Sequence, residues 1–125
     1  MAISDFPKRV VVIEDNRATA DTLRDLLDLS GYEVRVAYDG PEGVQVALAW
    51  PPDFVLCDIG LPGLNGWGVA TALRQHPVTR NARLIAVSAY GSDEARRLSK
   101  QVGFERHIVK PVGPNVLLEL LATQR

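Results

Sequence analysis

Four points along the chain carry side chains that could do chemistry together: the acidic pair Glu14-Asp15, then Asp58, Ser88 and Lys110. Each closes or directly follows an apolar run, so if those runs were parallel strands the groups would meet at one edge. Three carboxylates in one crevice repel one another unless a divalent cation and a lysine neutralise them. Such a set calls for a hard cation with oxygen ligands, Mg2+ in the first place and Mn2+ as the alternative, and for a guest that brings oxygens of its own. Taken singly the same residues are ordinary. An acid after a strand commonly caps a helix, and Lys110-Pro111 alone reads as an extended turn. The chemistry depends on convergence, and convergence depends on the elements that carry these residues.

The elements alternate. Arg9-Val-Val-Val-Ile-Glu14 is a β-branched run of the kind that fills a strand buried on both faces, and it ends in the acids Glu14 and Asp15. Ala20, Leu23 and Leu27 then recur at helical spacing, with Gly31 where a helix end favours a positive φ. Glu33–Ala37 alternates with period two, and Val44, Ala47 and Leu48 mark a short helix stopped by Pro51-Pro52. Phe54–Cys57 is a third strand. After the Leu-Pro-Gly turn, Asn65 is a helix cap ahead of a stripe of Val69, Ala72 and Leu73. Arg83–Ser88 is a fourth strand, and Ser92-Asp-Glu opens a helix whose stripe is Ala95, Leu98 and Val102. Arg106–Val109 is the fifth strand; Pro114 takes a first-turn position before Val116, Leu117, Leu120 and Leu121. Strand-helix alternation with short links predicts a doubly wound α/β fold with a parallel sheet, in which ligands bind beyond the carboxyl ends of the strands.

Bulk properties remove other classes. A chain of 125 residues is one domain's worth, and a net charge of -1 with scattered Lys and Arg gives no basic footprint for nucleic acid. No apolar run is long enough for a membrane span, and one cysteine, Cys57, cannot form an internal bridge; both point to a cytoplasmic, reduced setting.

The set of motifs resembles the receiver domain of two-component response regulators (CheY-like) over nearly the whole chain, about Lys8 to Ala122. The matching residues are Glu14-Asp15, Asp58-Ile-Gly-Leu-Pro-Gly-Leu-Asn-Gly66, Val87-Ser88-Ala89 and Lys110-Pro111. The separations also look like that family: 43 residues from Asp15 to Asp58, 30 on to Ser88 and 22 on to Lys110. The resemblance implies a flavodoxin-like sheet of five parallel strands in the order 2-1-3-4-5 with five helices, occupying 1–125 as a single receiver domain with no effector domain.

It also implies a mechanism. Asp58 accepts a phosphoryl group from a histidine kinase or a histidine phosphotransfer protein. Asp15, Asp58 and the Gly60 carbonyl hold Mg2+, with Glu14 reaching it through water, and Lys110 and Ser88 take up phosphoryl oxygens. Ser88 and His107 carry the switch to the face formed by helix 4, strand 5 and helix 5. The implied partners are the kinase or phosphotransfer protein and a downstream protein target or tethered kinase domains. Neither nucleic acid nor membrane is engaged directly, and the domain is a monomer or a weak phosphorylation-dependent dimer. The Lys110-Pro111 bond is expected to be cis.

Three departures from the commonest family pattern stand out. Glu14 replaces an aspartate, Ser88 a threonine, and His107 an aromatic residue that moves inward when the hydroxyl moves. Tyr90, two residues past Ser88, is expected to shield the phosphoryl group from water beside Gly60 and Gly91. The segment Gly103-Phe-Glu-Arg-His-Ile-Val-Lys-Pro111 leans toward receivers of the hybrid histidine kinase type. Cys57 reads as a small core residue, Trp50 and Trp67 as packing or rim residues, and His76-Pro77 as a helix stop. Arg96, Arg97 and Lys100 form a basic helix face, read as solvated surface.

Two rival readings use the same topology. A flavodoxin-like cofactor-binding module needs a phosphate-cradling loop after strand one, where Glu14-Asp-Asn-Arg17 is acidic. A hydrolase with an aspartyl-phosphate intermediate needs a second aspartate two residues after Asp58, where Gly60 stands, and room for a substrate cap.

Overall fold

Strand and helix alternate through all ten elements: β1 (Arg9–Ile13), α1 (Arg17–Leu29), β2 (Glu33–Ala37), α2 (Gly40–Ala49), β3 (Phe54–Cys57), α3 (Gly66–Gln75), β4 (Arg83–Ser88), α4 (Asp93–Val102), β5 (Phe104–Val109) and α5 (Pro114–Thr123). The computed structural model describes residues 8–123. All strand pairs are parallel and the order is β2-β1-β3-β4-β5, as the family resemblance implied. The order reverses between β1 and β3, the place where doubly wound sheets open a crevice.

The period of two splits the core into two layers. Val11, Ile13, Val55, Cys57, Leu84 and Ala86 pack toward Ala47 of α2 and Val69, Ala70 and Leu73 of α3. Their neighbours Val10, Val12, Phe54, Leu56, Ile85 and Val87 pack toward Leu27 of α1 and Leu117 and Leu121 of α5. A fully buried Val, Leu or Ile contributes about 1.5–3 kcal/mol, which is why the central strands carry charge only at their half-buried first residues, Arg9 and Arg83. Cys57 lies wholly inside this core, and burial, then the charges of Asp58 and Glu14, push its thiol far above the usual range.

Helix ends follow the expected chemistry. Asn65 accepts from the Gly68 N–H and Ser92 from the Ala95 N–H, Gly31 has φ 95°, and α3 stops at His76. Pro114 opens α5, and the Lys110-Pro111 bond is cis.

Four details correct the sequence reading. β5 begins at Phe104 rather than Arg106, and a register shift against Leu84 and Ile85 leaves Glu105 as the extra residue of a bulge. An edge strand tolerates Glu105 and Arg106 because one side of it is unpaired, and a bulge there blunts the edge. On α4 the buried positions are Ala95 and Ser99, while Leu98 is exposed and Val102 half-buried. On α3, Ala70 is buried in place of Ala72, and on α5 Val116 is 59% exposed.

Candidate functional site

The sheet ladder continues past the strands and carries the reactive residues with it. The Glu14 N–H donates to the Ala37 carbonyl, the Asp58 N–H to Ile13, and the Lys110 N–H to Ser88. Each group therefore sits on the last rung of a hydrogen-bonded strand, fixed to the core. Gly66 holds the opposite wall: a Cβ there would lie 2.4 Å from the Asp58 carbonyl oxygen, so α3 can start this close to the aspartate only on a glycine.

Lys110 ties the edge together. Its Nζ donates to Glu14 Oε1 at 2.6 Å and to Asp58 Oδ2 at 3.0 Å. Asp58 Oδ1 accepts from the Gly60 N–H at 3.1 Å, and Glu14 Oε2 from the Asn16 N–H at 3.0 Å. Asp15 is exposed, and one carboxylate oxygen from each of Glu14, Asp15 and Asp58 lies within 4.8 Å of the others. Three carboxylates against one ammonium leave the cluster two charges short of neutral, which is the deficit a divalent cation fills, and the donors are the hard oxygens Mg2+ or Mn2+ prefers.

The charge balance shows in the titration of the cluster. Glu14 is only 3% exposed, and burial raises its carboxyl above the ordinary 4.5; the bonds from Lys110 and the Asn16 N–H pull the other way, and Asp58 adds repulsion. Burial alone would lower Lys110, but its hydrogen bonds to Glu14 and Asp58 outweigh that and raise it above 10.5. The ammonium is held charged by the acids it joins.

The other expected residues sit around this centre. Ser88 is fully buried at the end of β4, and its Oγ accepts from the Tyr90 N–H at 2.9 Å. Among the bonds described, that hydroxyl faces its own loop rather than the carboxylates. Tyr90 is 55% exposed with its ring beside Gly60, where an added Cβ would meet Cε2 at 3.6 Å. His107 is half-buried and does not touch the carboxylates; Nδ1 lies 2.7 Å from Ser99 Oγ, and Nε2 lies 2.5 Å from the Tyr90 carbonyl oxygen. Sequence reasoning missed two contributors. Ser99 was not singled out, and Trp67, read as a packing or rim residue, also donates its indole N–H to Ser99 Oγ at 3.0 Å. A serine four residues after buried Ala95 was the one available signal for the first.

A doubly wound sheet with an acidic pair, a central aspartate and a lysine at one edge is the arrangement of a known family. The chain belongs to the response regulator receiver domain family, whose sequence pattern matches residues 10–122. It is 33% identical over 116 residues to the polar-differentiation response regulator DivK of Brucella anthropi, covering 93% of this chain and 94% of that protein. Chemotaxis protein CheY4 of Vibrio cholerae superposes with a TM-score of 0.89 at 26% identity, covering 94% of this chain and 98% of that one. The receiver domain of sensor histidine kinase PA1611 from Pseudomonas aeruginosa, solved with a magnesium ion coordinated in its active-site cleft, superposes at 0.85 with 26% identity over 94% and 96% of the two chains.

The protein is accordingly a receiver domain of two-component signalling, a signalling switch rather than a classical enzyme. Receivers work with histidine kinases or phosphotransfer proteins. The acidic cluster fits the metal-binding phosphoacceptor site of such domains, and the flavodoxin-like alternative is not favoured. Among the described residues, no helix is long and apolar enough to cross a membrane.

Proposed function

We propose that Asp58 is the phosphoacceptor of a single receiver domain spanning about residues 8–122, working in the cytoplasm on a histidine kinase or a histidine phosphotransfer protein. The observation that carries this reading is the Lys110 bridge between Glu14 and Asp58, with Asp15 beside it and no second cation joined to the cluster among the described contacts. An Asp58 carboxylate oxygen attacks the phosphorus of a phosphohistidine. The O–P bond forms as the N–P bond breaks, and the imidazole leaves and takes up a proton.

Asp15, Asp58 and the Gly60 carbonyl are the residues to hold Mg2+ or Mn2+, with Glu14 acting through water. The cation supplies neutralisation of phosphoryl charge. Lys110, already within reach of both acids, moves onto a phosphoryl oxygen as its bond to Asp58 is lost, a task suited to a compact charge on a flexible stem. The Ser88 hydroxyl takes a second oxygen, and the resulting shift reaches the face of α4, β5 and α5 through His107. Arg96 of α4 donates to the His107 carbonyl at 3.1 Å, which supports movement of α4 and β5 together.

Acetyl phosphate with Mg2+ tests this without a partner. The protein gains the mass of one phosphoryl group, and Asp58→Asn gains none; a variant that is still modified overturns the assignment. Tyr90, exposed beside Gly60, limits water access to the product. Tyr90→Ala shortens the phosphoryl lifetime, and an unchanged or longer lifetime removes Tyr90 from the mechanism.

A further inference from the structure

Four side chains and the backbone of Tyr90 join into a hydrogen-bonded line across the α3, α4 and β5 side of the molecule. Trp67 Nε1–H donates to Ser99 Oγ at 3.0 Å; Ser99 Oγ lies 2.7 Å from His107 Nδ1; His107 Nε2 lies 2.5 Å from the Tyr90 carbonyl; the Tyr90 N–H donates to Ser88 Oγ at 2.9 Å. With the His107 ring neutral, the proton positions follow from what each atom can do. A carbonyl only accepts, so His107 Nε2 carries the hydrogen. An indole N–H only donates, so it occupies a lone pair of Ser99 Oγ and leaves the serine proton free to donate to an unprotonated Nδ1. Every bond in the line then has one donor and one acceptor, with no conflict.

The line has a location that packing alone does not demand. Ser99 is 1% exposed on the inner face of α4, a position where an apolar side chain would bury more area at no polar cost. The Tyr90 backbone is held on both sides of its Cα, by Ser88 through the N–H of the Ala89–Tyr90 peptide and by His107 through the C=O of the Tyr90–Gly91 peptide. A displacement of Ser88 therefore pulls on a residue whose carbonyl is anchored, through His107 and Ser99, to the start of α3.

We propose that Ser99 is a positioning residue of the switch: with Trp67 and His107 it holds the β4–α4 loop in its resting place through the Tyr90 carbonyl, and the loop is released when Ser88 moves. The proposal rests on the assignment of Ser88 as a phosphoryl contact and adds to it the residues that oppose that movement. The restraint is a directed hydrogen bond, whose strength depends on a serine eight residues away in sequence.

The test uses the full chain, amide exchange at Tyr90 and the rate of Asp58 modification by acetyl phosphate with Mg2+. Loss of one hydrogen bond shifts a two-state loop by about threefold to tenfold, so Ser99→Ala speeds Tyr90 amide exchange and Asp58 modification by about that factor while exchange at Val12 in β1 stays unchanged. His107→Phe, which keeps ring volume and removes both nitrogens, has the same effect, and the double variant adds nothing to it because one line has been cut twice. Trp67→Phe, which spares the interior of α4, gives a smaller change in the same direction. Unchanged Tyr90 exchange in Ser99→Ala, or additive effects of the two substitutions, overturns the proposal. Failure of the unaltered protein to accept a phosphoryl group would instead overturn the role of Asp58, with the exchange result still deciding the role of Ser99.

Discussion

Strand β3 is bracketed by two aspartates, Asp53 before it and Asp58 after it, and the two ends of the sheet treat them in opposite ways. Asp53 is tied into the backbone: its Oδ2 accepts the Arg9 N–H at 2.8 Å, its own N–H donates to the Arg9 carbonyl, and its carbonyl accepts from the Arg83 N–H. Arg74 nearby spends its guanidinium on the carbonyls of Arg80, Ala82 and Gly103, at 2.6, 2.6 and 2.7 Å. Gly103, with φ 108°, lets the chain pass there, since a Cβ would lie 2.5 Å from Arg74 Nε. At this end charges close the fold. At the other end Asp58 shares one ammonium with Glu14, Asp15 stands exposed beside them, and the cluster stays negative. The difference separates charges that finish a structure from charges left over for a guest.

The contrast breaks first at Arg74. Arg74→Ala removes three charge-assisted bonds to carbonyls and costs about 2–3 kcal/mol in urea unfolding, while the rate of Asp58 modification in the folded protein is unchanged. A variant as stable as the parent would mean that this end is not closed by charge.

The next effect is smaller and opposite in sign for the two aspartates. Asp53→Ala lowers stability by about 1 kcal/mol because the Arg9 N–H loses its acceptor. Asp58→Asn, in metal-free buffer, raises the unfolding midpoint by relieving repulsion on Glu14, a trade of stability for function. Destabilisation by both substitutions would erase the distinction.

The smallest effect is in pH. Burial holds the native Glu14 carboxyl above the 4.5 of an exposed one, so the native state keeps a proton that the unfolded chain has lost. That contribution to stability is full below about 4.5 and disappears as pH rises through the raised native value. A divalent cation beside Glu14 favours its charged form, so Mg2+ affinity measured by calorimetry strengthens over the same rise, with proton release. Glu14→Gln flattens the dependence; a slope that survives it belongs to another group.

Much of this was legible in the chain. The first four strands are β-branched or alternating runs bounded by turn residues, and their ends match the structure except that β1 stops at Ile13, one residue short of the Glu14 expected. β5 was misread at its start because an edge strand carries Glu105 and Arg106 where a central strand could not. Leu98 and Val116 were placed inside on periodicity, yet helices over a sheet edge bury a narrower stripe, and α4 spends an inner position on Ser99. Glu14, Asp15, Asp58 and Lys110 could be gathered from their places after apolar runs. The line from Trp67 to Tyr90 could not, because its members lie on separate elements and nothing in the sequence joins Ser99 to His107 or Trp67.

The central claim is that Asp58 reacts and Asp53 does not. After incubation with acetyl phosphate and Mg2+, borohydride reduction of the acyl phosphate and peptide mapping would locate the modified carboxyl. The account predicts reduction at position 58 alone, in the unaltered protein and in Asp53→Asn, and none in Asp58→Asn. Modification at Asp53 or Asp15, or a product that persists in Asp58→Asn, would contradict it.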